Sequence, residues 1–324
     1  MPKTALVTGA SGQIGSYLSE ILIENGYNVF GFVRKGKEER LVDKVEPLFG
    51  DLEDLNSLEK AIAISSPDEI YNLAALSNAR VSINEPEYTM KVNLLPVIKI
   101  CEVVRRLNPK IKIFQAGSAE FYGNMSGVVD ENTAFDPKNP YAIAKLAAFQ
   151  FIKYSREMQG LFSCNGIIFN SESSKRGEAF VTKKITDSVV KIKKGKLEKL
   201  SLGNLNSQRD WIHAKDTANA IYQIMQQPSS SDYVISLGED HTVRDFVDLA
   251  FKYVGMNIYW KGEGVNEKGY DKNGKLLVEV NPEFFRPDDR VIKGNNSKLK
   301  SIGWRPHYSF PEIIKEMVEF DINK

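Results

Sequence analysis

The sequence predicts an α/β protein built on a doubly wound parallel sheet, with a smaller lobe formed by its C-terminal part. Three observations predict it. A glycine-rich turn, Gly9 to Gly15, separates a short apolar run from an amphipathic stretch. Strand-like and helix-like patterns then alternate as far as residue 169. Polar residues fall at or just past the ends of the strand-like runs, where open parallel sheets bind their ligands.

Taken in order, Ala5 to Thr8 reads as a strand, Tyr17 to Asn25 as a helix closed by Gly26, and Asn28 to Val33 as a second strand. The turn between strand and helix reads Gly9-Ala10-Ser11-Gly12-Gln13-Ile14-Gly15. Glycines there allow a tight turn and close approach of backbone to a phosphate, and the helix N-terminus favours an anion. The spacing is GxxGxxG, and its place between strand and helix makes it a dinucleotide signal rather than a mere turn. The second strand ends in Val33-Arg34-Lys35 with no acidic residue. An acid there would bond a ribose 2′-hydroxyl, whereas an arginine accommodates a 2′-phosphate, so NADP is favoured over NAD.

Asn56 to Ile64 reads as helix and Glu69 to Leu73 as strand. Pro86 opens a helical pattern that runs to Leu107, with Pro96 placed to kink it. Ile111 to Phe114 is the next strand, Pro140 to Gln159 the next helix, and Leu161 to Ile168 another strand. Beyond residue 170 the pattern loosens. Phe180 to Lys194, Asp216 to Gln226 and Val243 to Tyr253 read as helices, Lys199 to Leu202 as a short strand, and Gly262 to Lys275 as a surface loop. The expected organisation is a Rossmann-type cofactor domain over residues 1–169. A lobe over residues 170–324 binds the substrate, and some of its segments return to the first domain.

Composition narrows the function. Lys and Arg number 43 and Asp and Glu 42, so no global field favours nucleic acid or a membrane surface. No apolar run approaches the ~20 residues a membrane helix needs. The N-terminus lacks signal-peptide character. Cys101 and Cys164 lack metal-site spacing and read as buried free thiols, which fits a reducing, cytoplasmic location. No resident metal is expected.

Two segments look like the centre of the site: Ala116-Gly117-Ser118-Ala119-Glu120, and Tyr141-Ala142-Ile143-Ala144-Lys145. If the first stays extended, Ser118 and Glu120 project to the same side. Tyr141 and Lys145 are i and i+4 and share a helix face. A hydroxyl, a carboxylate, a phenol and an ammonium in one place suit proton handling beside a redox cofactor. A basic set, Lys175, Arg176, Lys183, Lys184, Arg209, Arg286 and Arg290, reads as a clamp for a phosphorylated substrate.

Gly9 to Gly15, Asn72-Leu73-Ala74-Ala75, and Tyr141 with Lys145 together resemble the extended short-chain dehydrogenase/reductase superfamily. More specifically the chain resembles GDP-mannose 4,6-dehydratases and, within them, possible GDP-heptose enzymes. Pro86-Glu87-Tyr88-Thr89, Asn170 with Glu172-Ser173, Arg176-Gly177-Glu178, Leu202-Gly203-Asn204, Arg209-Asp210-Trp211, His213-Ala214-Lys215-Asp216 and Phe285-Arg286-Pro287 carry the likeness. It runs from Thr4 to about Trp304.

The resemblance implies an internal redox reaction with tightly held NADP. Hydride leaves sugar C4, water is lost across C5 and C6, and hydride returns to C6, giving a GDP-4-keto-6-deoxy sugar. Tyr141 with Lys145 would oxidise C4, Ser118 would hold the C4 oxygen, and Glu120 would act at C5 and C6. Tyrosine titrates near ~10, and the expectation is that Lys145 and the positive nicotinamide together bring Tyr141 toward neutrality. By the same resemblance Gly9, Ser11, Gly12, Gln13, Ile14 and Gly15 hold the pyrophosphate. Arg34 meets the 2′-phosphate, Asp51 and Leu52 flank adenine, Leu73, Ala75, Ser77 and Tyr88 line the cofactor, and Arg176 touches it. Asn170, Lys184, Leu202, Gly203, Arg209 and Arg286 would bind the GDP-sugar.

Departures inform too. Ser118 stands where the family has threonine, and the hydroxyl survives. Ala119 stands where dTDP-glucose dehydratases have an aspartate, which leaves Glu120 to make both proton transfers. Ser171 and Ser174 replace histidine and proline. The loop after Arg34-Lys35 is much shorter than in the family, where it supports a tetramer. A tetramer is therefore in doubt, and a homodimer through the helices Pro86 to Leu107 and Pro140 to Gln159 is the expectation. Competing readings are an epimerase or 4-keto reductase of the same superfamily, and a cofactor-sensing protein without turnover. The sugar is not fixed by these residues.

Overall fold

The computed structural model describes residues 1–286 and 291–324; Arg290 of the expected basic clamp lies outside them. Seven parallel strands form the central sheet. They are β1 (Thr4–Thr8), β2 (Asn28–Val33), β3 (Val45–Phe49), β4 (Glu69–Asn72), β5 (Lys112–Ala116), β6 (Ser163–Ile168) and β7 (Asp232–Ile235), in the order β7-β6-β5-β4-β1-β2-β3. The order reverses between β1 and β4, which run side by side with Thr8 opposite Asn72. Ligand crevices of doubly wound sheets open at this point. β3 sits on the edge and carries Pro47, which cannot donate to a ladder; the sequence pattern did not mark it as a strand.

Helices cover both faces because βαβ crossovers place them there. On one side α1 (Gln13–Glu24) packs with α2 (Ala214–Met225) around Leu18, Leu22, Ile221 and Ile224, all buried. The other side holds Leu58, Ile62, Ile100, Val104 and Ile152 against Leu6, Phe32 and Ile113 of the sheet. The first core is continuous with Trp211, Phe246, Phe310, Trp304 and Met317, so the later segments share it rather than building their own. Cys101 and Cys164 are buried free thiols.

The helical pattern expected over Pro86 to Leu107 is two helices, Pro86–Asn93 and Leu95–Leu107, which meet at Leu94. The physical reason is Pro96. It has no N–H to continue the first helix and takes the second residue of the next one, where none is needed. The Gly262 to Lys275 stretch is not a bare loop. It holds a 3₁₀ turn, Gly264–Asn266, and a strand, Lys268–Tyr270, in a four-stranded sheet with Tyr259–Lys261, Leu276–Val280 and Leu200–Leu202. Antiparallel pairing of that strand with both neighbours buries Gly269 while its one charged residue, Lys268, stays outside. Charged composition hid the strand. Among the described residues no helix is long and apolar enough to cross a membrane.

Candidate active site

The site is built on strand ends. β5 finishes at Ala116, and Gly117 donates its N–H to Gly166 O at 2.7 Å; a Cβ at Gly117 would lie 2.8 Å from that oxygen. Ser118 then caps a 3₁₀ turn, Ala119–Tyr122, its Oγ accepting from the Glu120 N–H at 3.2 Å. The expected extended alternation therefore ends at Ser118. Ser118 and Glu120 still reach the same cavity, but because the turn folds Glu120 back, not because side chains alternate. Phe121 and Tyr122 anchor that turn in a buried cluster with Phe149, Phe169 and Val234.

α3 (Pro140–Gln159) supplies the other half. Asn139 caps it, accepting the Ala142 N–H at 2.8 Å, and Pro140 occupies the first position. The Tyr141 N–H donates to Ser82 Oγ at 3.2 Å, which satisfies another donor of the first turn. Tyr141 and Lys145 face the cavity together, as the i, i+4 spacing requires. The Lys145 side chain is 3 % exposed, and burial pulls its ammonium down to about 8. Burial and the Glu120 carboxylate hold the Tyr141 phenol above its ordinary range, opposed by a hydrogen bond with Ser118 and by the Arg176 charge.

Beneath these groups, buried polar bonds stitch the strand ends. Thr8 Oγ1 donates to Asn72 Oδ1 at 2.6 Å and Asn72 Nδ2 to Gln115 Oε1 at 2.7 Å. Thr8 Oγ1 also accepts from the N–H groups of Leu73 and Ala74. Every member has a partner, which makes such a network rigid.

Two cavities open here. The larger, about 690 Å³, is lined by the four candidate catalytic groups and, on the cofactor side, by Ile14, Leu73, Ala75, Ser77 and Arg176. Its far wall carries Asn170, Lys184, Leu202, Gly203 and Arg209. The smaller, about 290 Å³, lies over the glycine turn, lined by Ser11, Gly12, Gln13, Ser16, Arg40 and Lys175. The turn fits a dinucleotide pyrophosphate. Gly9 has φ +71°, and a Cβ on it would meet Ala74 N at 2.9 Å. A Cβ on Gly15 would sit 2.1 Å from Gly9 O, so α1 packs onto the turn only because Gly15 has none. Gln13 ties the turn to the far wall, donating to Ser171 O and accepting from Ser173 Oγ, both at 2.8 Å.

Some expected residues stand elsewhere. Arg34, Asp51 and Leu52 lie at the ends of β2 and β3, outside both cavities, and Tyr88 is half-buried in the helix Pro86–Asn93. Arg286 is exposed and does not line the cleft; its Nη1 donates to the carbonyls of Glu283 and Phe285. Lys183 is a correction as well. It is buried and paired with Asp321, which Thr186 Oγ1 also reaches, and it does not line the cleft; such pairing is the usual condition on which a lysine is fully buried. Lys175 moves from the substrate clamp to the turn cavity, where it pairs with Glu20 and lies over the Tyr17 ring.

Sequence reasoning missed four groups. Arg80 lines the large cavity, and together burial and its charge hold the Lys184 ammonium below its usual range. Arg40 lines the turn cavity from a short 3₁₀ turn, Glu38–Arg40. Glu172 is buried, pairs with Arg176 at 3.1 Å and accepts from Thr182 Oγ1; burial pushes its carboxyl up against both partners. Asn139 touches Glu120. Only Asn139 left a signal, a capping residue before a proline that opens a helix.

A seven-stranded doubly wound sheet with Ser118, Tyr141 and Lys145 gathered at its strand ends defines the extended short-chain dehydrogenase/reductase class. The GDP-mannose 4,6 dehydratase family model matches residues 6–317. GDP-mannose 4,6 dehydratase 2 of Caenorhabditis elegans is 40% identical, over 99% of this chain and 89% of its own. The human GDP-mannose 4,6 dehydratase is 40% identical, over 99% of this chain and 91% of its own. The chain belongs to the GDP-mannose 4,6 dehydratase family. A Thermus thermophilus UDP-glucose 4-epimerase, solved as a complex with NAD, has the same fold. Its TM-score is 0.82 at 24% identity, covering 98% of both chains.

Proposed function

We propose that this chain is a GDP-sugar 4,6-dehydratase, acting on GDP-mannose or a related GDP-manno-sugar with NADP. The observation that carries the reading is the carboxylate Glu120 beside Ser118 in the same cavity as Tyr141 and Lys145, with Ala119 where a second acid would stand. Of the cavity's other carboxylates, Glu172 is already engaged by Arg176 and Thr182, and Glu178 lies beyond it on the loop before Phe180. The two-acid dehydratases divide the proton transfers; here one group makes both. Family membership and the cations Arg80, Arg176, Lys184 and Arg209 around the cavity support an anionic nucleotide-sugar.

The dinucleotide fits the glycine turn; Arg34 directly after β2 and, separately, Arg40 on the turn cavity favour a 2′-phosphate, hence NADP rather than NAD. When bound, it supplies a hydride acceptor for C4 and a hydride donor for C6. Tyr141 takes the proton of the C4 hydroxyl while Ser118 Oγ holds that oxygen. Burial and Glu120 hold the phenol up, opposed by Ser118 and the Arg176 charge, and the positive charge of a bound oxidised dinucleotide would lower it further. Once C4 is a ketone, the C5 proton is acidic. Glu120 takes it, the C5–H electron pair becomes the C5–C6 double bond, and the C6–O bond breaks. Glu120 then gives its proton to the departing hydroxyl, which leaves as water; with hydride returned to C6, C5 would take a proton from solvent and Tyr141 would release to solvent the one it took, so the protons balance.

Assembly as a homodimer is part of this reading. Leu95, Leu107, Ile143, Tyr154 and Met158 are exposed apolar residues on Leu95–Leu107 and α3, the helices expected to pair.

The test is Glu120→Gln. This variant should still oxidise C4 in a single turnover but lose exchange of the C5 proton with deuterated solvent by at least about a hundredfold. Exchange at the wild-type rate would sink the assignment. Wild-type enzyme should convert GDP-mannose to a 4-keto product without added NADPH. Steady NADPH consumption would point to a reductase instead.

A further inference from the structure

We propose that Asn139 is a positioning residue for Glu120, setting the aim of the carboxylate while capping the helix that carries Tyr141 and Lys145. The inference rests on the reading of Glu120 as the C5 base.

The geometry is two-sided. Asn139 Oδ1 accepts the Ala142 N–H at 2.8 Å, and its backbone, φ −145° and ψ 160°, is the extended conformation of a helix cap. That bond decides which way the amide points, because only the oxygen can accept from a backbone N–H. The NH₂ group therefore faces the other way. There Nδ2 donates to Glu120 Oε2 at 3.4 Å. Holding one carboxylate oxygen narrows the rotation of the group and biases the direction in which its other oxygen faces. Asn139 is half-buried and does not line the cavity, whereas Glu120 does. Asn139 therefore touches no reacting atom itself and acts through two neighbours, Glu120 and the helix it caps.

Residue chemistry points the same way. Ser, Thr, Asp and Asn all cap helices well, so capping alone does not select asparagine. Only asparagine joins an acceptor for the helix to an amide donor long enough for a neighbouring carboxylate. Aspartate would bring a like charge against Glu120, and serine would be too short. The bond spans 19 residues and ties the 3₁₀ turn Ala119–Tyr122 to α3. The group that oxidises C4 and the group that removes the C5 proton are thus held in one frame. A carboxylate that must first take a proton from carbon and then give it to oxygen gains from such a fixed aim.

Asn139→Ser keeps the cap and removes the donor. Single-turnover reactions of the holoenzyme with GDP-mannose in deuterium oxide would follow C4 oxidation by absorbance and C5 deuterium by mass spectrometry. We expect C5 exchange to fall about tenfold, the scale of one hydrogen bond to a charged group, with C4 oxidation changed by less than about twofold. Asn139→Ala loses cap and donor together. Its thermal midpoint should fall, yet its ratio of C5 exchange to C4 oxidation should match that of Asn139→Ser. Unchanged C5 exchange in Asn139→Ser, or an equal fall in both steps, overturns the proposal. Glu120→Gln in parallel separates the two readings. If it stops exchange and Asn139→Ser does not slow it, only the positioning role fails. If Glu120→Gln still exchanges, the base assignment falls and takes the positioning role with it.

Discussion

The two halves of this chain reach the same cleft by different physics. Up to residue 169, site groups sit where parallel strands end: Gly9 after β1, Leu73 after β4, Ser118 after β5. Their positions follow from sheet pleat, helix period and a few glycines. Beyond residue 170, Asn170, Glu172, Leu202 and Arg209 lie on strands of two or three residues, Arg176 and Gly203 on turns or loops and Lys184 on the helix Val181–Lys193, and pairs between separate segments hold them. Asp321 reaches Lys183, Glu316 accepts from both the N–H and the Oγ of Ser174, and Glu172 joins Arg176 and Thr182. Asp216 accepts from the backbone N–H groups of His307 and Tyr308 at 3.0 Å. A regular scaffold positions by repetition, an irregular one by specific bonds. The first half should therefore be sensitive to added volume, and the second to loss of single partners.

The largest effect should come from the second half. Asp321→Ala removes both the partner of the buried Lys183 ammonium and the acceptor of Thr186 Oγ1 at 2.7 Å. An uncompensated buried charge costs about 3–5 kcal/mol, which denaturant unfolding would register. Replacing both ions, Lys183→Met with Asp321→Leu, should restore most of it, since apolar packing often equals a buried pair. A single-variant loss below about 1 kcal/mol, the value of an exposed pair, would place this contact in solvent and dissolve the contrast.

In the first half the matching experiment adds one carbon. Gly15→Ala puts a methyl 2.1 Å from Gly9 O, and backbone on both sides blocks relief. Overpacking of this kind costs about 1–3 kcal/mol. Because the turn and the N-terminus of α1 must separate, dinucleotide affinity should fall with stability, by about tenfold to a hundredfold on a titration. Stability loss with unchanged affinity would mean the turn does not hold the pyrophosphate.

The same division explains what could be read without coordinates. The βαβ unit, the strand ends and the Tyr141–Lys145 face were legible because period and glycine placement encode them locally. Helix α3 begins and ends at Pro140 and Gln159 as the proline and Gly160 indicate. The partners of Lys183, Arg286 and Arg176 were not legible. Nothing near Lys183 announces Asp321, which lies 138 residues away. Composition likewise hid Lys268–Tyr270, whose pairing decides its structure more than its propensity does. A basic residue after position 170 told us its charge and not its address.

The smallest effect concerns the cofactor, and it joins the two halves. Arg34 stands after β2, where sheet logic puts the residue that reads the ribose. Arg40 comes from the loop between β2 and β3 and lines the turn cavity together with Lys175. If a 2′-phosphate occupies that region, Arg34→Ala and Arg40→Ala should each weaken NADP by about tenfold, the scale of one charge-assisted contact. NAD, which lacks the phosphate, should bind each variant as it binds the wild type. Fluorescence titration with both dinucleotides separates the cases. Equal losses for NAD and NADP would trace the effect to the turn itself. A loss confined to Arg34→Ala would leave phosphate recognition wholly to the strand end, and the irregular loop would have no part in it.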